Sequence, residues 1–369
     1  MKKIIVFALL LVMVTALAGC GDGAKTTEEV QTEKEIQDNE KSIEKASEKT
    51  ENKNEAVVAP YYDADAGKYG YCLDNGEKVS EAIFDKAEPF SENGFAKVKF
   101  EEKYGFINKD CKFVIEPQFD EVGDFASNGI AWVREGEKYS YINKSGEYAF
   151  EAKFHNAEDF SSNGIAAVYK NSKWGYINEA GEYVIEPQFE NAGDFSSNGL
   201  APVYEGGKWG YINIAGEYVI EPSFDKADYF AENGLASVKI GSMSEGKWGF
   251  INEEGEFVIE PKYDWAYAFS ENGLAPVLED DKCGYINEAG EYVIEPQFDS
   301  AAVFSENGLA VVRMGGWENG GYGYINESGE VVIEPQFPEA YDFKDGFAEV
   351  GVGGKYYFIN EKGEFVTPN

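Results

Sequence analysis

An all-β tandem array is the fold class that this sequence predicts, and three observations predict it. First, a unit of about 35 residues recurs from residue 56 to residue 369. Aligned on the aromatic that follows a lysine, nine copies stand at Tyr69, Tyr104, Tyr139, Trp174, Trp209, Trp248, Cys283, Tyr322 and Tyr356. A fixed period of that length marks a solenoid, a propeller or an array. Second, each copy holds short runs rich in β-branched and aromatic residues, too short for helices. Third, Asn-x-x-Gly separates two of those runs, as at Asn178 to Gly181, and returns at Asn143, Asn213, Asn252, Asn287, Asn326 and Asn360. Asparagine opens a type I turn and glycine takes the left-handed conformation that closes a hairpin.

Within "LAPVYEGGKWGYINEAGEYVIEPQF" the elements follow in order. Leu-Ala-x-Val is the first strand, Trp-Gly-Tyr-Ile the second and Tyr-Val-Ile the third. In the second strand the aromatic and the tyrosine share one face. The glycine faces the other, where a missing side chain admits a neighbouring backbone. Proline follows the third strand at Pro117, Pro187, Pro222, Pro261, Pro296 and Pro335, and its missing N–H is expected to end the ladder there. Phe189, Ala192 and Phe195, at steps of three, suit one helical or 3₁₀ turn folding back on the sheet. "SENG" or "SSNG" then reverses the chain. Each unit is expected to be a three-stranded meander with a packed connector, and none has a face it could bury alone. The lysine before the aromatic is expected to pair with the glutamate before proline, to stack on the ring, or to stand as a solvated edge charge that discourages aggregation.

The pattern Lys-Trp-Gly-Tyr-Ile-Asn, Gly-x-x-Val-Ile-x-Pro, Phe-Asp-x-Ala and Phe-x-x-Asn-Gly-Leu-Ala resembles the WG repeat, or KWG repeat, family of bacterial β-repeat proteins, over essentially everything after residue 55. Departures are Cys283 in place of the aromatic and Ser140 and Tyr357 in place of the glycine. The resemblance implies an all-β repeat array and adds little about chemistry.

Residues 1–19 read as a targeting segment: Lys2 and Lys3 precede the apolar run "IIVFALLLVMVTALA". The run ends in "LAGC", which resembles the lipobox of bacterial lipoproteins. That resemblance implies cleavage before Cys20 and a diacylglyceryl group on its sulfur, hence a lipid anchor on the extracytoplasmic face of a bacterial cell membrane. Residues 20–55 carry no aromatic residue and few apolar ones, and are expected to be a solvated, charged tether. Residues 56–369 are the repeat domain of nine units.

The chain's formal net charge is −36, of which the leader contributes +2 and residues 21–55 contribute −5, leaving −33 on the repeats. So acidic a surface argues against nucleic acid and against docking on anionic headgroups. Beyond Cys20, the cysteines are Cys72, Cys111 and Cys283, at unrelated places in the unit, which is no disulfide framework. The single histidine, His155, sits where other units carry Asp120, Glu190, Asp225, Asp264, Asp299 and Pro338, so it reads as one variant of a connector position. No Ser/His/Asp or Cys/His set can be assembled, and no metal-ligand spacing appears. No catalytic residue, metal or cofactor is expected, and the chain is not expected to be an enzyme.

What breaks the repeat is informative. Two four-residue insertions fall between the first and second strands, "KIGSMSEG" at 239–246 and "RMGGWENG" at 313–320, and insertions gather on one face, often the binding face. Trp317 lies in the second insertion, while Trp132 and Trp265 stand where other units carry small or polar residues; these three are the candidate contact residues. The expected function is a membrane-anchored, non-catalytic module that binds or scaffolds a protein partner at the cell envelope. A cell-wall glycan binder is the alternative, and an enzyme of envelope glycan metabolism ranks third. Since neither end leaves a partial sheet for the other to complete, an open, curved solenoid-like array is favoured over a closed, propeller-like ring.

Overall fold

A computed structural model describes residues 57–368, apart from positions 74, 243 and 317–319. Cys20, the targeting segment, the tether and Trp317 therefore lie outside the described residues. Among the described residues the strands form nine small antiparallel sheets in chain order. The fourth is representative, with an inner strand Asn156–Ala157, then Ile165–Lys170, Lys173–Asn178 and an outer strand Tyr183–Phe189. The all-β array is thus present, and six of the nine sheets have one strand more than the meander predicted.

The extra strand corrects the connector. Phe189, Ala192 and Phe195 do not wind a turn of helix. Phe189 ends the outer strand of one sheet, Asn191–Ala192 opens the next sheet as its inner strand, and all three apolar side chains enter one core between the fourth and fifth sheets. Proline does not end the third strand either, because Pro187 lies inside Tyr183–Phe189. The pairs Trp174↔Phe189 and Tyr176↔Ile185 enclose a bulge of the outer strand, and an edge position tolerates the missing N–H. The bulge explains the glycine of the motif: a Cβ on Gly175 would stand 2.6 Å from the Ile185 carbonyl oxygen and 2.6 Å from the Pro187 nitrogen.

The turns form as the sequence indicates. Gly181 N–H donates to Asn178 O at 2.9 Å with a φ of +76°, while Asn178 Oδ1 accepts from the N–H groups of Ala180 and Glu182. Between the second and third strands of the fourth sheet the hairpin is two residues long. Asn171 and Ser172 there have φ of 53° and 65°, the left-handed pair that a tight hairpin requires.

Apolar cores lie between consecutive sheets, so no sheet buries a face alone. Between the fourth and fifth, Tyr176, Ile185, Phe189, Phe195, Val203 and Ile212 are buried together. Tyr176 is fully buried and its hydroxyl donates to Gly193 O at 2.8 Å, fastening its sheet to the inner segment of the next. The same bond recurs from Tyr71, Tyr141, Tyr211, Tyr285 and Tyr324 to the residue seventeen positions on. Phe106, Phe250 and Phe358 fill the same position in three other units, so the ring suffices for packing and the tyrosine hydroxyl adds the fastening bond.

The array closes into a propeller-like ring, which overturns the preference for an open arc and leaves the alternative arrangement standing. Ala59 of the first sheet is buried with Phe347 and Phe358 of the ninth, Tyr62 meets Tyr357 edge-on at 5.5 Å, and Lys355 Nζ donates to Ala64 O at 3.4 Å. Closure needs no shared strand because each unit is a wedge: a two-residue inner strand and a seven-residue outer one turn the stack until its ends meet. The first sheet, Val58–Asp63 with Lys68–Leu73, has no inner strand among the described residues. Lys344 of the ninth unit pairs with Asp124 of the third at 2.8 Å.

Candidate functional site

Two surfaces of the ring concentrate polar and aromatic groups: the wall around its axis, and the face that carries the hairpins between second and third strands. On the wall, the two residues between the inner-strand alanine or valine and the following phenylalanine include an acid through much of the chain, namely Glu88, Asp124, Glu158 with Asp159, Asp194, Asp228 and Asp342. At the seventh and eighth units the same places hold Tyr267, Ala268, Ala302 and Val303. Lys97 bridges Glu88 and Asp124, at 3.1 Å each, and these carboxylates outweigh the burial that would otherwise lower its pKa. Burial, with Asp124 close by, pushes Asp159 up to about 6. Burial, with Glu158 and Asp159 close by, pushes Asp194 up to about 7, and its Oδ1 is buried without a hydrogen-bond partner. The wall thus stores negative charge that titrates near neutrality.

At one mouth of the axis, "SENG"-type turns and connectors from the second, third, seventh, eighth and ninth units line a cavity of about 1340 Å³, with Asp124 and Lys344 at its edge. Sequence reasoning missed this wall. Its signal was available as acids confined to one stretch of an otherwise regular connector, but nothing in one dimension says which connector positions face an axis.

On the hairpin face, the lysine before the motif aromatic finds a partner that sequence reasoning did not weigh. It is the aspartate seventeen residues on, in Phe-Asp-x-Ala: Lys103 with Asp120 at 2.5 Å, Lys208 with Asp225 at 2.8 Å, Lys282 with Asp299 at 2.6 Å, and also Lys68 with Asp85 and Lys247 with Asp264. The second carboxylate oxygen caps a hairpin, as Asp120 does by accepting from Gly136 N–H at 2.7 Å. Lysine and backbone donors together hold Asp120 and Asp225 below the usual carboxylate range.

The candidate contact residues do not come together. Trp132 belongs to the third sheet and is half-buried on the inner wall, with its ring 5.4 Å from Tyr139. A Cβ on Gly123 would stand 2.4 Å from its Nε1 and 2.5 Å from Asp159 Oδ1, so Trp132 fills the space that glycine leaves. Trp265 opens the seventh sheet, is 45% exposed, and packs with tilted rings against Trp248 at 5.2 Å and Tyr267 at 5.9 Å. It adjoins the first insertion, because Trp248 directly follows Lys247, whose ammonium holds Asp264 beside Trp265. Trp317 is outside the described residues.

His155 is exposed, and its backbone N–H donates to Tyr169 O at 2.9 Å. Cys72, Cys111 and Cys283 are free thiols, each pushed by burial above the ordinary cysteine value, Cys111 to about 11. Such thiols are poor nucleophiles. Among the described residues no group of three or more His, Cys, Asp or Glu side chains is disposed to hold a metal ion.

The family model for the WG containing repeat matches eight successive stretches: residues 69–104, 104–139, 139–174, 174–209, 209–243, 248–283, 284–316 and 322–356. A search among curated proteins finds no match. Among solved structures, the chain is similar to a crystal structure of the eukaryotic initiation factor. The identity is 9% and the TM-score 0.62, covering 84% of this chain and 95% of that one. It is also similar to dipeptidyl peptidase 4 of Porphyromonas gingivalis, at 8% identity and a TM-score of 0.55, covering 76% of this chain and 58% of that one. Likeness at such identity reports the fold alone.

Proposed function

The chain belongs to the WG-containing repeat family, and from that premise we propose that it is a non-catalytic binding module, which presents the hairpin face of its ring to a protein partner at the bacterial cell envelope. One observation carries the reading: the first insertion and the exposed, off-pattern Trp265, seated on the buried Trp248, meet at one place on that face, and Tyr267 continues the aromatic surface toward the inner wall. An exposed aromatic group rimmed by charged residues is the composition of a contact surface. The net charge of −36 favours a partner with a neutral or basic surface. Lipidation of Cys20 would hold the ring on the extracytoplasmic side of the membrane.

The experiment is a cross-linked pull-down from envelope extracts with the intact ring, with Trp265→Ala, and with residues 241–246 shortened to a two-residue turn. Partner capture that both variants lose supports the reading. Capture indifferent to both removes the hairpin face from it, and co-sedimentation with peptidoglycan without any protein partner would favour the glycan alternative. For the anchor, Cys20→Ala should abolish incorporation of labelled fatty acid and release the chain from the membrane fraction.

A further inference from the structure

We propose that the hairpin face also carries a saccharide site, an open groove across the third, fourth and fifth sheets that takes a neutral β-1,4-linked oligosaccharide. The groove encloses about 760 Å³, and it opens where the lysine–aspartate pair of the other sheets fails twice in succession. His155 and Glu190 stand at the two aspartate positions, and Lys138 and Lys173 have no carboxylate partner among the described residues. Between the eighth and ninth sheets both members are replaced, by Gly321 and Pro338, neither of which has a polar side chain. At the groove the lysines remain, while the aspartate that bonds them is replaced by longer or aromatic polar groups.

The residues that face the groove have the chemistry of sugar recognition. Trp174 and Tyr169 form its floor, with ring centroids 5.4 Å apart and planes tilted by 48°, and Tyr139 and Tyr204 flank it. Aromatic faces suit the C–H side of a pyranose ring. Asn156 and Asn191 occupy equivalent places one sheet apart. In each, Oδ1 accepts from the next residue's N–H at 2.9 Å, from Ala157 and Ala192 respectively. That bond fixes each amide so that Nδ2 is left to donate to a hydroxyl oxygen. Glu190 and His155 add an acceptor and a donor-acceptor beside them.

The spacing selects the ligand. Packed sheets stand about 10 Å apart, close to the length of one disaccharide repeat in an extended β-1,4 chain, so two equivalent amides one sheet apart read two repeats in register. The chain's formal charge of −36 disfavours a polyanionic glycan. This inference is independent of the protein partner, and its failure would leave that reading untouched.

The test is calorimetric titration of the repeat domain with N-acetylchitotetraose and cellotetraose, with maltotetraose as the α-linked control. The expected result is binding of at least one β-1,4 tetrasaccharide and none of maltotetraose. Asn156→Asp with Asn191→Asp keeps both Oδ1 acceptors and removes both Nδ2 donors. It should leave the melting temperature unchanged and weaken binding about tenfold or more, roughly 1.4 kcal/mol. Trp174→Ala should weaken it as much, read against its own melt. Absence of β-1,4 binding at millimolar ligand, equal binding of maltotetraose, or undiminished affinity in the asparagine double variant would each overturn the proposal.

Discussion

The joint between the fourth and fifth sheets and the seam between the ninth and the first do the same job with unequal means. The first buries ten side chains in one cluster, Tyr176 among them, and fastens it with the Tyr176 hydroxyl on Gly193. The seam buries three, Ala59, Phe347 and Phe358. Phe358 stands in the place of the fastening tyrosine, opposite a sheet that has no inner strand among the described residues. Ring closure is therefore the weakest of the joints between neighbouring sheets, and its loss exposes an arc rather than an unfolded chain.

The strongest way to break this comparison is to truncate both sides of it. Tyr176→Ala should cost about 3–5 kcal/mol and destabilise both neighbouring sheets, as a denaturant melt will show. Phe358→Ala should cost about 2–3 kcal/mol, with the loss confined to the seam. Hydrogen exchange should speed up in Val58–Asp63 and Lys355–Asn360 while the fourth and fifth sheets stay protected. Equal, global losses in the two variants would show the ring to be one cooperative unit without a weak joint.

The pH dependence sharpens the comparison on the inner wall. Asp194 and Asp159 have pKa values raised to about 7 and about 6 by burial first and neighbouring carboxylates second. Their stabilising contribution is full below the unfolded value of about 3.9 and is lost as pH rises through the folded values. Asp194→Asn should therefore raise the melting temperature more at pH 8 than at pH 5, measured by thermal melts across that window. A gain that is larger at pH 5 would reverse the sign argued here. The hairpin-face aspartates, Asp120 and Asp225, run the other way, since their lowered values add stability that falls away as pH drops through the acid range.

The smallest effect belongs to those pairs. Lys208→Met should cost about 0.5 kcal/mol or less, because Lys208 and Asp225 are 42% and 32% exposed and solvent screens them. A loss of several kcal/mol in the melt would mean that the pair, rather than the core, orients the sheets.

The sequence made the fold legible wherever physics acts between neighbours in the chain. Asn178 and Gly181 announce their hairpin because the turn is closed by their own atoms, and the role of Gly175 follows from alternation along one strand. Pro187 misleads because an edge strand can bulge around it, a freedom that no local rule reveals. Phe189, Ala192 and Phe195 mislead for a subtler reason. Steps of three suit a 3₁₀ turn, yet the same steps serve a chain that crosses from the outer edge of one sheet to the inner edge of the next while pointing each apolar residue into the same core. The inner wall and the saccharide groove were illegible because they are built from residues one repeat apart, such as Asn156 with Asn191, whose proximity is set by the packing of sheets. Even so, the groove had a trace in the sequence: His155 and Glu190 are departures from the aspartate at one repeat position, in consecutive units.

Closure by side chains has a further consequence, in chain order rather than in energy. Val366 packs on the cluster that contains Ala59, so the first and last of the described residues lie side by side. Among the described residues no strand is split between them, and the same kind of link from outer to inner strand recurs along most of the ring. Apart from its weak seam, the ring therefore has no privileged beginning. A circular permutant opened at Gly206–Gly207, with its old ends bridged, would present the same sheets in the same order around the same axis. A ring assembled this way offers the same surface whichever unit the chain begins with.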